Sequence, residues 1–368
     1  MSAAIAIYAR GEPALCWLFA ALARMHELCG VSPTGAVDIA RLAVGRGRFD
    51  PLAPRTVPHS LLGEGFYRAA MRRLTRDAAT VILTRPDQAA LLPLLPASRK
   101  IYIAIDDYDA YGRSQRQDEA MLVAAADHVV AVSTALAIAL RDRYGISRDR
   151  LTVSPNGVPM AWIPAQCPAG AASLPAGLNL PRPLAGVIGR ISSRLRLDWL
   201  VDAVERLPWL HWLFVGDVEA EELLPEDRPQ LQRLRASPRC RFIGQRAYEA
   251  LPAFAAALDV AVMPYSERST NPHGSPVRLF LQLPFGTAIV ATPGCRQVEE
   301  FSSLLRMCPT SDGMIAALEE LRRQGFDDGL RQARWQAAKA NSWEARARVL
   351  APLIWPAAAR SAEAVAFD

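Results

Sequence analysis

Lysine is nearly missing from this chain: Lys100 and Lys339 are the only lysines among 42 basic residues, and the arginine excess reads as genome composition rather than function. The six cysteines, Cys16, Cys29, Cys167, Cys240, Cys295 and Cys308, form no CxxC pair and have no histidine at metal-ligand spacing. That excludes a zinc site and a disulfide framework and makes a reducing cytoplasm the expected compartment. There is no GxGxxG, so the nicotinamide or flavin fingerprint is absent and a dehydrogenase is not expected. No apolar run is long enough for a bilayer. The stretch Ala14 to Ala23 is too short, and the N-terminus lacks a basic n-region, so neither a transmembrane helix nor a signal peptide is expected. The basic residues are not interleaved with aromatics, which argues against a nucleic-acid partner.

What is present is a globular composition. The chain has 368 residues, 51% hydrophobic and 21% charged, enough for two domains with ample core. Net charge is +5, and residues 1–160 hold 19 basic and 15 acidic groups, so +4 of it falls there. An N-terminal surface meeting an anionic partner, such as a phospholipid head group or a lipid diphosphate, fits that asymmetry.

Along the chain, Ala3 to Ala9 reads as a strand that breaks at a Gly11 loop and gives way to a helix through Leu28. From Cys29 to Pro58, Gly30, Gly35, Gly45 and Gly47 interrupt several short apolar pieces, and no strand order can be read. A helix over Leu61 to Asp77 carries Arg68, Arg72 and Arg76 as one cationic stripe, either a solvated face or a head-group contact. Strands at Val81 to Thr84 and Lys100 to Ile105 follow, the second running into Asp106-Asp107-Tyr108-Asp109. Carboxylates at the C-terminal end of a parallel strand suit a general base, with Asp106 or Asp107 the candidate; Asp107 taking backbone N–H bonds and Asp109 capping the next segment is the alternative. Ser133 is an N-cap for a helix through Tyr144.

Residues 161–183, rich in Ala, Pro and Gly, read as a linker. Beyond them, Leu184 to Ile188 is a strand, and Gly189 with Arg190 and Arg194 forms a loop in which a backbone can approach a phosphate and guanidiniums can grip it. The strongest stretch is Met263 to Pro293. The run Val260 to Met263 ends at Pro264, helical period restarts at Val277 and ends at Gly286, and a strand follows at Ala288 to Ala291. Arg278 places a cation one turn into that helix. Tyr265, Asn271 and His273 lie in the loop before it.

Ser275-Pro276-Val277-Arg278-Leu279-Phe280, then Gly286 and Ile289-Val290-Ala291-Thr292, resembles the donor segment of GT-B fold glycosyltransferases, close to family 4 and its polysaccharide-assembly relatives. Four further landmarks keep the family's order: Ala126 to Ser133, Pro155-Asn156-Gly157-Val158, Gly189 to Arg194, and Asn341-Ser342-Trp343-Glu344. The resemblance implies an α/β fold of two Rossmann-like doubly wound domains facing a central cleft. It implies an acceptor domain over 1–160, a nucleotide-sugar domain over 184–342, and a final helix in 343–368 crossing back to the first domain.

The activity it implies is transfer of a sugar from a nucleotide diphosphate sugar to a glycan, lipid-linked or other glycoconjugate acceptor. No metal or other cofactor is implied, since no DxD stands at the donor loop. Gly189, Arg190, Arg194, Phe242, Tyr265, Asn271, Ser275, Pro276, Val277 and Arg278 become donor contacts, and Asp106 or Asp107 the base of an inverting reaction. A cytoplasmic enzyme, peripheral on the inner face of an anionic membrane, is the expected setting. One departure matters: Leu281, with Gln282 beside it, stands where the family carries the glutamate that takes the ribose hydroxyls. It keeps open a degenerate protein acting as a nucleotide-sugar-binding or scaffold partner of an active transferase; a phosphorylase or epimerase on the same fold is a further alternative.

Overall fold

The computed structural model describes residues 4–9, 12–34, 50–58, 63–95, 99–218, 221, 223–268 and 270–356. The Gly11 loop, Gly35, Gly45, Gly47, Leu61 and the tail from residue 357 lie outside them. The chain divides into two compact units, one ending at Gly157 and resuming at Trp343, the other spanning Val158–Ser342.

The first unit is built on seven strands, β1 (Ala4–Ile7), β2 (Leu28–Thr34), β3 (Arg55–Pro58), β4 (Thr80–Leu83), β5 (Arg99–Ala104), β6 (His128–Ala131) and β7 (Leu151–Val153). They pair in parallel in the order β3-β2-β1-β4-β5-β6-β7, with Ala4 opposite both Leu28 and Thr80. β1, β4 and β6 are buried on both faces, which is why they read as short unbroken apolar runs. Alternate residues serve opposite cores. Ile5, Ile7, Val81 and Leu83 pack with Tyr67 and Met71 of the helix Gly63–Thr75. Ala4, Ala6, Ile82 and Ile101 pack with the helix Pro13–Ala23 and with Trp343, Leu350 and Ile354 from the last helix, Trp343–Ile354. That last helix is pinned polarly too: Thr80 Oγ1 donates to the Ile354 carbonyl at 2.8 Å and Arg99 Nε to that of Leu353 at 2.9 Å.

The second unit holds β8 (Leu184–Ile188), β9 (His211–Val215), β10 (Cys240–Phe242), β11 (Val260–Met263), β12 (Ala288–Ala291) and β13 (Arg306–Met307), all parallel, in the order β10-β9-β8-β11-β12-β13. The segment with linker composition is tied to this unit: Ala172 N donates to the Ala256 carbonyl at 2.7 Å, and Trp335 Nε1 to that of Pro164 at 2.9 Å. The helix that periodicity extends to Gly286 ends at Gln282 and tightens into a 3₁₀ turn, Leu283–Phe285. Pro284 explains this, since it has no N–H for the helical ladder. Among the described residues no helix is long and apolar enough to cross a membrane.

Candidate functional site

The C-terminal ends of β8, β9 and β10 are joined edge to edge by three glycines. Gly189 N donates to the Val215 carbonyl at 2.7 Å, and Gly216 N to that of Gly244 at 3.0 Å. Gly189 has φ +116°, and a Cβ on it would lie 2.7 Å from Nε of Arg278. Gly216 has φ +149° and lies so close that a Cβ on it would be 2.2 Å from the Gly189 carbonyl oxygen. Only glycine allows both the backbone conformation and the approach.

Arg278, on the six-residue helix Val277–Gln282, fills the space that Gly189 leaves. Its Nη2 donates to the Arg190 carbonyl, its guanidinium lies 5.6 Å from the Tyr265 ring centroid, and its Nη1 is shielded from solvent without a partner among the described residues. Burial lowers its pKa; Tyr265 opposes this, and Arg194 and Arg190 lower it further. Tyr265 is itself pushed up to about 12, chiefly by burial. No carboxylate pairs with Arg278 among the described residues. Such a cation is electrostatically unfinished, and an anion would complete it.

Arg194 stands in the same neighbourhood. Its Nε donates to Asn271 Oδ1 at 3.0 Å and its Nη2 to Thr270 Oγ1 at 2.6 Å. The loop after β11 is sewn onto Ser193 to Arg196: Ser266 N and Asn271 Nδ2 both donate to the Arg194 carbonyl, and Arg196 N donates to that of Pro264. The structure therefore brings Gly189, Arg190, Arg194, Tyr265, Asn271 and Arg278 together. Pro276 caps the helix and is buried, with Ser275 and Val277 half-buried on either side of it. Phe242 sits on β10 with its ring stacked on Phe214, centroids 4.3 Å apart. Leu281 is buried in the core of this unit, and Gln282 beside it leaves Oε1 without a partner among the described residues.

In the first unit, β5 delivers Asp106 and Asp107 to different surroundings. Asp107 is buried, caps the 3₁₀ turn Tyr108–Tyr111 by accepting from Asp109 N, and pairs with Arg143 Nη1 at 3.0 Å. Arg143 also reaches Asp109 at 3.4 Å and the buried Glu119 at 3.7 Å. Asp106 is half-buried and accepts from Tyr111 OH at 2.7 Å. Nothing in the sequence signals Arg143, which lies 36 residues from its partner Asp107. A cavity of about 300 Å³ opens beyond the ends of β1 and β2, lined by Tyr8, Pro33, Tyr67, Arg85, Asp87 and Leu91. Among the described residues no group of three or more His, Cys, Asp and Glu is placed to hold a metal ion.

Comparison with known families places this geometry. Residues 18–162 match the family described as Glycosyltransferase Family 4, and residues 182–324 that described as Glycosyl transferases group 1. No curated protein matches the sequence. Among solved structures, Anabaena Alr3699/HepE in complex with UDP and glucose superposes with a TM-score of 0.73 at 15% identity, covering 96% of this chain and 99% of its own. The catalytic domain of Arabidopsis thaliana starch synthase IV, bound to ADP and acarbose, gives 0.68 at 12%, covering 96% and 98%. A glycosyltransferase from Rickettsia africae gives 0.68 at 12%, also covering 96% and 98%. With its first part matched by one glycosyltransferase family, its second by another, and each folded as a doubly wound parallel sheet, the chain belongs to the glycosyltransferases of the GT-B fold.

Proposed function

We propose that the second unit binds a nucleotide diphosphate sugar and that the enzyme transfers its sugar, without a metal, to a glycan, lipid-linked or other glycoconjugate acceptor held by the first unit. The observation that carries this is the guanidinium of Arg278, set against Gly189 with no carboxylate among the described residues to cancel it. UDP or ADP accompanies two of the similar structures, which supports a nucleotide donor here. Arg278 and Arg194 would offset the charge that grows on the departing diphosphate, an electrostatic stabilisation aimed at the transition state. Asp106 is the better candidate base for an inverting reaction, because Asp107 is ion-paired with Arg143, whereas Asp106 accepts only from the neutral Asp107 N–H and Tyr111 OH among the described residues. A retaining reaction would place no protein base there. The cavity beside Tyr67 and the Arg85–Asp87 pair is the acceptor site we favour.

The test is a thermal-shift and calorimetric titration against UDP, GDP, ADP and their sugar conjugates, with Arg278→Ala as control. Stabilisation by one nucleotide, lost in the variant, establishes the donor site and its base, because a ligand that binds only the folded state must raise stability. The buried Leu281 favours a second reading, a degenerate scaffold partner of an active transferase. Well-folded protein that responds to no nucleotide would support that instead.

An anionic membrane surface on the cytoplasmic side is the setting we propose. Arg72, Arg73 and Arg76 are exposed without partners among the described residues, and Phe66 on the same helix is 49% exposed. Co-sedimentation with phosphatidylglycerol vesicles but not with phosphatidylcholine vesicles would bear this out, and equal recovery with both would refute it.

A further inference from the structure

Several arginines of the second unit are cancelled by carboxylates. Arg196 pairs with Asp198 at 3.0 Å, Arg268 with Asp227 at 2.8 Å, and the fully buried Arg334 with Asp328. Arg194 is held differently. Two of its three guanidinium nitrogens donate to neutral oxygens, Nε to Asn271 and Nη2 to Thr270, while Nη1 has no partner among the described residues. Both holding residues are buried, Thr270 at 1% and Asn271 at 2% exposure. Asn271 grips the same arginine twice, since its Nδ2 donates to the Arg194 carbonyl at 2.7 Å, and it locks its own loop through the Ser266 carbonyl at 2.8 Å.

This arrangement fixes a long, rotamer-rich side chain without spending its charge. A carboxylate in the place of Thr270 would have held the fork as firmly and neutralised it. A solvated arginine would have kept its charge and lost rotamer freedom on binding, at a cost to affinity. Arg194 lies near enough to Arg278 to lower its pKa, so two cations are kept together against their mutual repulsion by hydroxyl, amide, carbonyl and ring. Neutral anchoring of adjacent like charges is what a site needs when its ligand brings the compensating charge.

We infer that Thr270 and Asn271 are positioning residues: they orient the Arg194 guanidinium by neutral acceptors so that it and Arg278 together grip the diphosphate of the donor. The inference rests on the donor reading given above, and inorganic pyrophosphate separates the two because it lacks both base and sugar. Dissociation constants for pyrophosphate and for UDP are measured on wild type, Thr270→Val, Thr270→Ser, Arg194→Ala and the double variant Arg194→Ala/Thr270→Val. Thr270→Val should weaken both ligands about fivefold, Thr270→Ser should stay within about twofold, and Arg194→Ala should weaken them about thirtyfold. The double variant should bind no worse than Arg194→Ala alone, because Thr270 acts only through that arginine.

A merely structural Thr270 would give additive losses in the double variant, and that result overturns the inference while leaving the donor site in place. So would UDP binding that is lost in Arg278→Ala but unchanged in Thr270→Val. Pyrophosphate binding with the expected non-additivity, in protein that takes no nucleotide, sustains the clamp and removes the donor reading. Folded wild type that binds neither ligand overturns both. Asn271→Ala is the second variant; it also strips two main-chain bonds, so its melting temperature is recorded alongside, and a ligand affinity equal to wild type in folded protein counts against the inference.

Discussion

At the end of β5 in the first unit, one guanidinium sits among carboxylates; at the ends of β8 and β11 in the second, two guanidiniums sit among neutral groups. Arg143 serves Asp107, Asp109 and Glu119 at once, and its pKa is raised because Asp107 and Asp109 outweigh the opposing effect of burial. Arg278 and Arg194 have a carbonyl, a phenol ring, a hydroxyl and an amide. The first cluster is complete in itself and belongs to the fold. The second has no carboxylate among the described residues, and a bound anion would complete it, as the proposed function requires. Perturbed charge at a strand end is thus ambiguous evidence of function until its partners are counted.

The largest expected effect breaks the first cluster. Arg143→Ala leaves Asp107 and the fully buried Glu119 without their cation, and should cost about 3 kcal/mol of stability, since removing one partner strands a buried charge. Denaturant unfolding measures it, and a loss below about 1 kcal/mol would mean that water reaches these groups freely.

Arg278→Ala should do the opposite. Stability should hold or rise slightly, because a shielded cation with no counterion among the described residues is removed, while the ratio kcat/KM for the donor should fall roughly a hundredfold, about 2.7 kcal/mol of transition-state stabilisation. A parallel fall in melting temperature and activity would show that Arg278 is structural, and the contrast between the clusters would disappear.

Gly189→Ala probes how Arg278 is seated. The +116° φ angle strains any other residue by about 1–2 kcal/mol, and the new Cβ would meet Nε and displace the guanidinium. Nucleotide affinity should drop about tenfold with the helix content unchanged. Retained affinity would place the ligand's contacts elsewhere on Arg278.

These clusters also mark what could be read from the chain. Unbroken apolar runs bounded by Gly or Pro located β8, β11 and β12 at Leu184–Ile188, Val260–Met263 and Ala288–Ala291, because a strand buried on both faces needs no alternation. The Ser133 cap was legible for a local reason: its Oγ accepts from Leu136 N only three residues on. β2 and β3 were not. β2 contains Pro33 and Gly30, and Gly30 is there because Leu52 and Pro54 press within 2.9 Å of where a Cβ would be. The cations at 194 and 278 were visible as residue types after strands, but Thr270 and Asn271 are 76 and 77 residues from the arginine they hold. Partnership at that distance leaves no trace in periodicity or spacing.

The smallest expected effect is a pH dependence that separates buried carboxylates in the two units. Glu119 has its pKa raised, by burial first, against the lowering effect of Tyr102, Tyr144 and Arg143. A folded state that holds the proton more tightly than the unfolded one is favoured at low pH, so Glu119's contribution is fully present below its unfolded pKa and is lost as pH rises through the raised one. Asp328 is the reverse. Burial would raise its pKa, but its hydrogen bonds to Arg334 outweigh this and lower it, so its contribution is present above the unfolded pKa and lost as pH falls through the depressed one. Glu119→Gln should therefore flatten the decline in stability as pH rises from about 4.5 toward neutral. The Asp328→Asn variant should instead remove the loss seen on acidification below about 4. The change from Glu119→Gln should be smaller than the strain expected for Gly189→Ala, because Tyr102 and Tyr144 still bond to the amide. Urea midpoints taken at half-unit pH steps would read both, and a Glu119→Gln curve parallel to wild type would show that Arg143 keeps this carboxylate ionised throughout.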